Sequence, residues 1–168
     1  MKLLLLLAVV GVLCVPCAGQ STLKSAIGFE LGDSVTAIRR TLVGSKYFTT
    51  DIIVHCKCKF NGAEIIRLVL TDENNAGNPI ILTDMFIRTP GKYRANIEKW
   101  LAEQLNIKYT VGCIKAYLEN KRQEYFSRGE EPPEESEILK NDKYAFEYMY
   151  GTYASRYECW LTVKMPKR

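Results

Sequence analysis

The chain has 168 residues, of which 47% are hydrophobic and 25% charged, values that exclude a disordered chain, a collagen and a coiled-coil rod. The 23 Lys and Arg against 19 Asp and Glu leave a net charge of +4, too small to name a polyanionic partner. His55 is the only histidine, which removes any mechanism that needs two imidazoles.

Lys2 precedes an unbroken apolar run, Leu3 to Leu13. Pro16 breaks the run, and Cys17-Ala18-Gly19 supplies small residues for cleavage. This order is that of a secretory signal peptide, and the run is shorter than the roughly 20 residues of a spanning helix. The expected organisation is a signal at residues 1–19 and one globular domain at residues 20–168. No membrane span is expected, and the destination is extracellular.

Leu23, Ile27, Leu31, Val35, Ile38 and Leu42 form a stripe at helical spacing, interrupted by Gly28 and Gly32. Asp33-Ser34 is a capping signal, so a weak first turn and then a firmer helix over about 34–43 are expected. Residues 51–60 alternate as a strand. Asn61-Gly62 between two apolar runs marks a two-residue hairpin, because both central residues take positive φ. The turn places Lys59 opposite Glu64, Cys58 opposite Ile65 and Cys56 opposite Arg67. One face then holds Ile52, Val54, Cys56, Cys58, Ile65 and Val69. The other holds Ile53, His55, Ile66, Leu68 and Leu70, so a covering layer is expected on both sides.

Asp72 to Pro79 reads as a polar turn, since Ala76 and Thr83 occupy positions where a calcium loop needs oxygen ligands. A third strand covers about 80–88. Ile97, Trp100, Leu101 and Leu105 mark a second helix. Val111, Ile114, Tyr117, Leu118 and Tyr125 mark a third, ending near Gly129. The glutamate-rich segment 130–137 reads as a solvated loop. Tyr144, Phe146, Tyr148 and Tyr150 alternate as a strand, as do Tyr157, Cys159, Leu161 and Val163. The expected fold is α+β, with a mostly antiparallel sheet of about five strands, about three helices and two disulfides.

With Cys14 and Cys17 in the signal, Cys56, Cys58, Cys113 and Cys159 remain. Residues i and i+2 of a strand lie about 6.5–7 Å apart, too far for a normal disulfide. Cys56 and Cys58 are therefore each expected to pair with one of Cys113 and Cys159, in one of two arrangements. His55 points away from both thiols in such a strand, so no metal site is expected. No cofactor loop, Gly-x-Ser-x-Gly elbow or His-Glu-x-x-His motif occurs, and no enzyme is expected. The basic residues are dispersed, which argues against nucleic acid. The inhibitory Gln-x-Val-x-Gly loop of cystatins is absent.

Two functional classes follow. The first is a secreted protein that binds a protein partner, as an inhibitor, toxin, immune effector or matrix component. The second is an extracellular carrier of a small apolar ligand, with Tyr144, Phe146, Tyr148 and Tyr150 lining its pocket. A secreted hydrolase stands third.

Overall fold

The computed structural model describes residues 22–34, 38, 45–47, 51–54, 58–73 and 81–166. The fold is α+β. Six strands form one sheet: β1 Ser45–Tyr47, β2 Asp51–Val54, β5 Arg67–Glu73, β6 Ile81–Pro90, β7 Ala145–Tyr153 and β8 Arg156–Lys164. Their spatial order is β1-β2-β5-β6-β8-β7, one strand more than expected, and every pairing is antiparallel. A separate small hairpin joins β3 Lys59–Phe60 to β4 Ala63–Glu64. The helices are α1 Leu23–Ile27, α2 Arg94–Gln104, α3 Cys113–Ser127 and α4 Glu135–Ile138.

The strand register sorts the sheet into two faces, because paired residues share a side. Leu68, Ile87, Leu161 and Tyr148 form one cross-strand row, and Leu70, Met85, Val163 and Phe146 form the next. This face is the core face. Ile97, Trp100 and Leu101 of α2, with Ile114 and Leu118 of α3, are buried in the same cluster. The opposite face carries the rows Val69–Phe86–Thr162–Glu147 and Arg88–Trp160–Met149. Phe86 and Trp160 are only half-buried there. The second covering layer expected from sequence is therefore not seen on this face among the described residues.

α1 is one short turn with both ends closed. The Thr22 hydroxyl accepts from the Ser25 N–H, and Gly28 takes φ 101° at the C-terminal cap. Of the helix expected over 34–43, only Ser34 and Ile38 lie among the described residues. Ile38 is buried, and its N–H donates to the Ser34 carbonyl at 3.2 Å.

The hairpin forms as its turn dictates. Lys59 faces Glu64, Phe60 faces Ala63, and Asn61 and Gly62 take φ 46° and 80°. Its tip does not continue the sheet, however. The chain bends at Ile66, whose N–H bonds to the Arg88 carbonyl at 2.7 Å. Beyond the bend, Leu68 pairs with Val54 and Val69 with Ile53, one residue out of step with the extended hairpin. A one-residue slip exchanges faces, so Leu68 and Leu70 share a side with Val54 and Ile52 and not with Ile53. The tip is instead clamped to the helices. The Asn61 N–H donates to the Ala26 carbonyl, and the side chains of Asn61 and Asn96 each donate to the other's carbonyl. Phe60 then packs edge-on against Trp100 at 4.9 Å. Gly62→Val places a β-branched residue at φ 80°, with its Cβ 3.3 Å from Asn96 Nδ2. It should cost about 1–2 kcal/mol, read as a lower urea midpoint at unchanged slope. A midpoint equal to the parent's would refute the type I′ turn.

The glutamate-rich segment also departs from its expectation. Glu135–Ile138 is helical, and Ile138 and Leu139 are buried in the core. Two apolar residues after the charge run tie it down.

Candidate functional site

The tyrosine stripe of β7 divides in two. Tyr144 and Phe146 are buried, and their rings meet edge-on at 6.0 Å. Both belong to the hydrophobic core cluster. Tyr148 and Tyr150 instead line a pocket of about 390 Å³ between β7 and α3. Its other walls are Arg94, Glu98, Ile114, Lys115, Leu118, Glu135 and Met149.

The polar centre of this pocket is Glu98, which is fully buried. A buried carboxylate is costly unless each lone pair is answered. Three donors answer it. The Arg94 guanidinium donates to Oε1 at 2.8 Å, the Gly112 N–H to Oε2 at 2.8 Å and the Tyr148 hydroxyl to Oε1 at 3.2 Å. Arg94 also lies over the Tyr150 ring, 4.3 Å from its centroid. Gly112 has φ 81°, and a Cβ there would sit 3.2 Å from the Arg94 guanidinium. Glycine at this position therefore lets the main chain approach the ion pair closely.

Sequence reasoning passed over Arg94, Glu98 and Gly112. A signal existed. Arg94 and Glu98 stand four apart on one helix, and Glu98 shares a side with Leu101 and Leu105. A carboxylate inside an apolar stripe, with a cation one turn away, marks a buried ion pair.

Cys159 lies beside this cluster, with its Sγ 4.0 Å from the Tyr148 hydroxyl. Burial pushes the Cys159 thiol up, while the hydroxyls of Tyr148 and Thr89 act the other way. Burial also pushes the Tyr148 phenol up, reinforced by Cys159 and Glu98. Tyr144 moves the same way, through burial and then its hydrogen bond to Glu30. All three groups stay protonated in the folded chain where the unfolded chain already ionises. Their contribution to stability is full below the ordinary thiol value of 9.0 and phenol value of 10.0, and is lost as pH rises above them. Thermal melts should accordingly fall between pH 8.5 and 11, the range set by those ordinary values. A melting temperature that rose across the range would contradict this burial.

The cysteines differ from the expected pairing. Cys113 and Cys159 are buried free thiols, so neither is joined to Cys56 or Cys58 in this structure. Each sits on the core side of its own element, α3 or β8, where the hydrophobic cluster encloses it. Cys58 is half-buried against the core, and Cys56 lies outside the described residues. His55 also lies outside them. Alkylation should reach Cys113 and Cys159 only in denaturant. Peptide mapping that recovers either one cross-linked to Cys56 or Cys58 would restore the pairing expected from strand geometry.

No helix among the described residues is long and apolar enough to cross a membrane. Comparison with protein-family models, curated proteins and solved structures gives no match.

Proposed function

We propose that the chain is a secreted protein that acts by binding a protein partner. The observation that carries this reading is the sheet face turned away from the helices. Met149 and Tyr153 are about half exposed on it, at 48% and 47%, and Trp160 lies between them and Arg88. Trp, Tyr, Arg and Met are the residue types enriched in interface cores. The patch is also held in one geometry. Arg88 pairs with Glu158 at 2.6 Å and covers the Tyr153 ring at 4.5 Å, and the Trp160 indole donates to Glu158. Pre-arranged anchors lower the entropy cost of docking. The leader at residues 1–19 supports secretion.

The carrier reading draws less support. Only Tyr148 and Tyr150 of the stripe reach a pocket, and that pocket also presents Arg94, Glu98, Lys115 and Glu135. Such a lining suits mixed side chains better than a wholly apolar ligand. For the hydrolase, Glu98 is already occupied by three donors.

The test is photo-cross-linking of the secreted chain in medium from its own source. Probes at Met149 and Tyr153 should give a discrete protein adduct, and a probe at Lys99, on the outer side of α2, should give none. Native mass spectrometry of the same material separates the classes. A stoichiometric apolar ligand without any protein adduct would replace the binding reading with the carrier.

A further inference from the structure

We propose that the partner contributes an extended segment that adds as a new strand to the outer edge of β7, in the groove between β7 and α3. This deepens the protein-binding reading and rests on it.

β7 is an edge strand of the sheet: among the described strands it pairs with β8, and on its outer side its first residue, Ala145, makes a single bridge with Lys140. The hairpin closes on Tyr153 opposite Arg156, so the odd residues of β7 direct their main chain to β8 and the even residues direct theirs outward. The first half of that outer edge is already answered from within the chain. The Phe146 N–H donates to the Leu139 carbonyl at 2.7 Å, and the Tyr148 N–H donates to Glu135 Oε1 at 2.8 Å. The next outward residues are Tyr150 and Thr152. No described residue outside the sheet bonds to their main chain. The series of acceptors along the edge therefore stops where the pocket opens. An unprotected edge is a template for another strand.

The groove supplies the rest of the recognition. Side chains of an added strand alternate between its two sides. Those on the helix side enter the pocket of about 390 Å³ beside Tyr150, Ile114 and Leu118. Those on the other side extend the half-exposed surface of Met149 and Tyr153, so the edge is continuous with the patch described above. The charge at the pocket is specific. Of the pocket's charged groups, Arg94 is committed to Glu98 and Glu135 accepts from the Tyr148 N–H, whereas Lys115 has no anion on it among the described residues. The complementary segment thus carries an apolar residue for Ile114 and Leu118 and an acidic residue for Lys115.

Two variants test this. The Thr152 N–H points away from β8, so Thr152→Pro blocks the outer edge without removing a ladder bond. Lys115→Glu reverses the charge at the pocket. Random peptides of about ten residues, displayed and selected on the full wild-type chain, should be enriched in an apolar residue two positions from Asp or Glu, the spacing that shares one strand face. The enriched peptide, once synthesised, should bind each variant at least about tenfold more weakly. On the wild-type chain it should slow amide exchange at Tyr150 and Thr152, a readout that needs no variant to fold. Absence of enrichment, equal binding to Thr152→Pro, or unchanged exchange at both amides would overturn the proposal. A wild-type dimer abolished by Thr152→Pro would also overturn it, assigning the edge to a second copy of the chain. If these results fail while the probe at Met149 still captures a protein, the binding function stands and the strand-addition mode falls.

Discussion

Phe146→Ala should destabilise the protein by about 3–5 kcal/mol, the range for removing a fully enclosed aromatic ring. Phe146 has no solvent exposure. Its ring meets Trp100 edge-on at 5.8 Å and Tyr144 at 6.0 Å, and it shares a cross-strand row with Val163. The variant would leave a cavity that helix and sheet cannot both close, because each is fixed by its other contacts. Tyr150→Ala on the same strand should cost on the order of 1 kcal/mol. Its half-buried ring loses a stacked contact with Tyr157 at 5.5 Å and the Arg94 guanidinium at 4.3 Å. Equal losses in the two variants, measured by urea melts, would refute the division of the stripe into core and pocket.

Arg94→Met should cost about 3 kcal/mol, although Arg94 itself keeps a side-chain exposure of 27%. The loss comes from its partner. Glu98 would remain buried with only the Gly112 N–H and the Tyr148 hydroxyl, and its charge would have no counter-ion. The double variant Arg94→Met with Glu98→Leu should be less destabilised than the sum of the single changes, with a coupling of about 1–3 kcal/mol. Strict additivity would show that the pair is not an energetic unit. Methionine keeps much of the arginine stem's packing, which separates the loss of charge from the loss of contact.

The elements with strong local patterns were legible in the sequence. Asn61-Gly62 specifies its turn through two positive φ angles, and the Lys59–Glu64 pairing follows. Ile97, Trp100 and Leu101 mark the buried side of α2 because their spacing matches the helical repeat. The strands at 145–153 and 156–164 were visible as alternation, and the strand at 81–90 was expected over about 80–88. Other features were not legible, for identifiable reasons. The register slip at Ile66 depends on Asn61 meeting Asn96 and Ala26, contacts between segments about 35 residues apart in the first case. The order of the glutamate-rich segment depends on Ile138 and Leu139 finding the core. Its composition alone resembles a solvated linker.

By itself the sequence determined the α+β class, the hairpin turn, the buried side of α2 and the alternation of the last two strands. Each of these rests on residues close in the chain, where backbone sterics and periodicity act directly. Only the tertiary structure decided which aromatics of β7 are core, which carboxylate is buried with Arg94, and which strand edge stays open. Those outcomes depend on what lies across the strand or beneath the helix. Phe146 and Tyr150 stand four residues apart in one alternating pattern, yet Trp100 closes over the first and a pocket opens beside the second. Alternation assigns both rings to the same face, and the packing of α2 and α3 against that face sets their different surroundings.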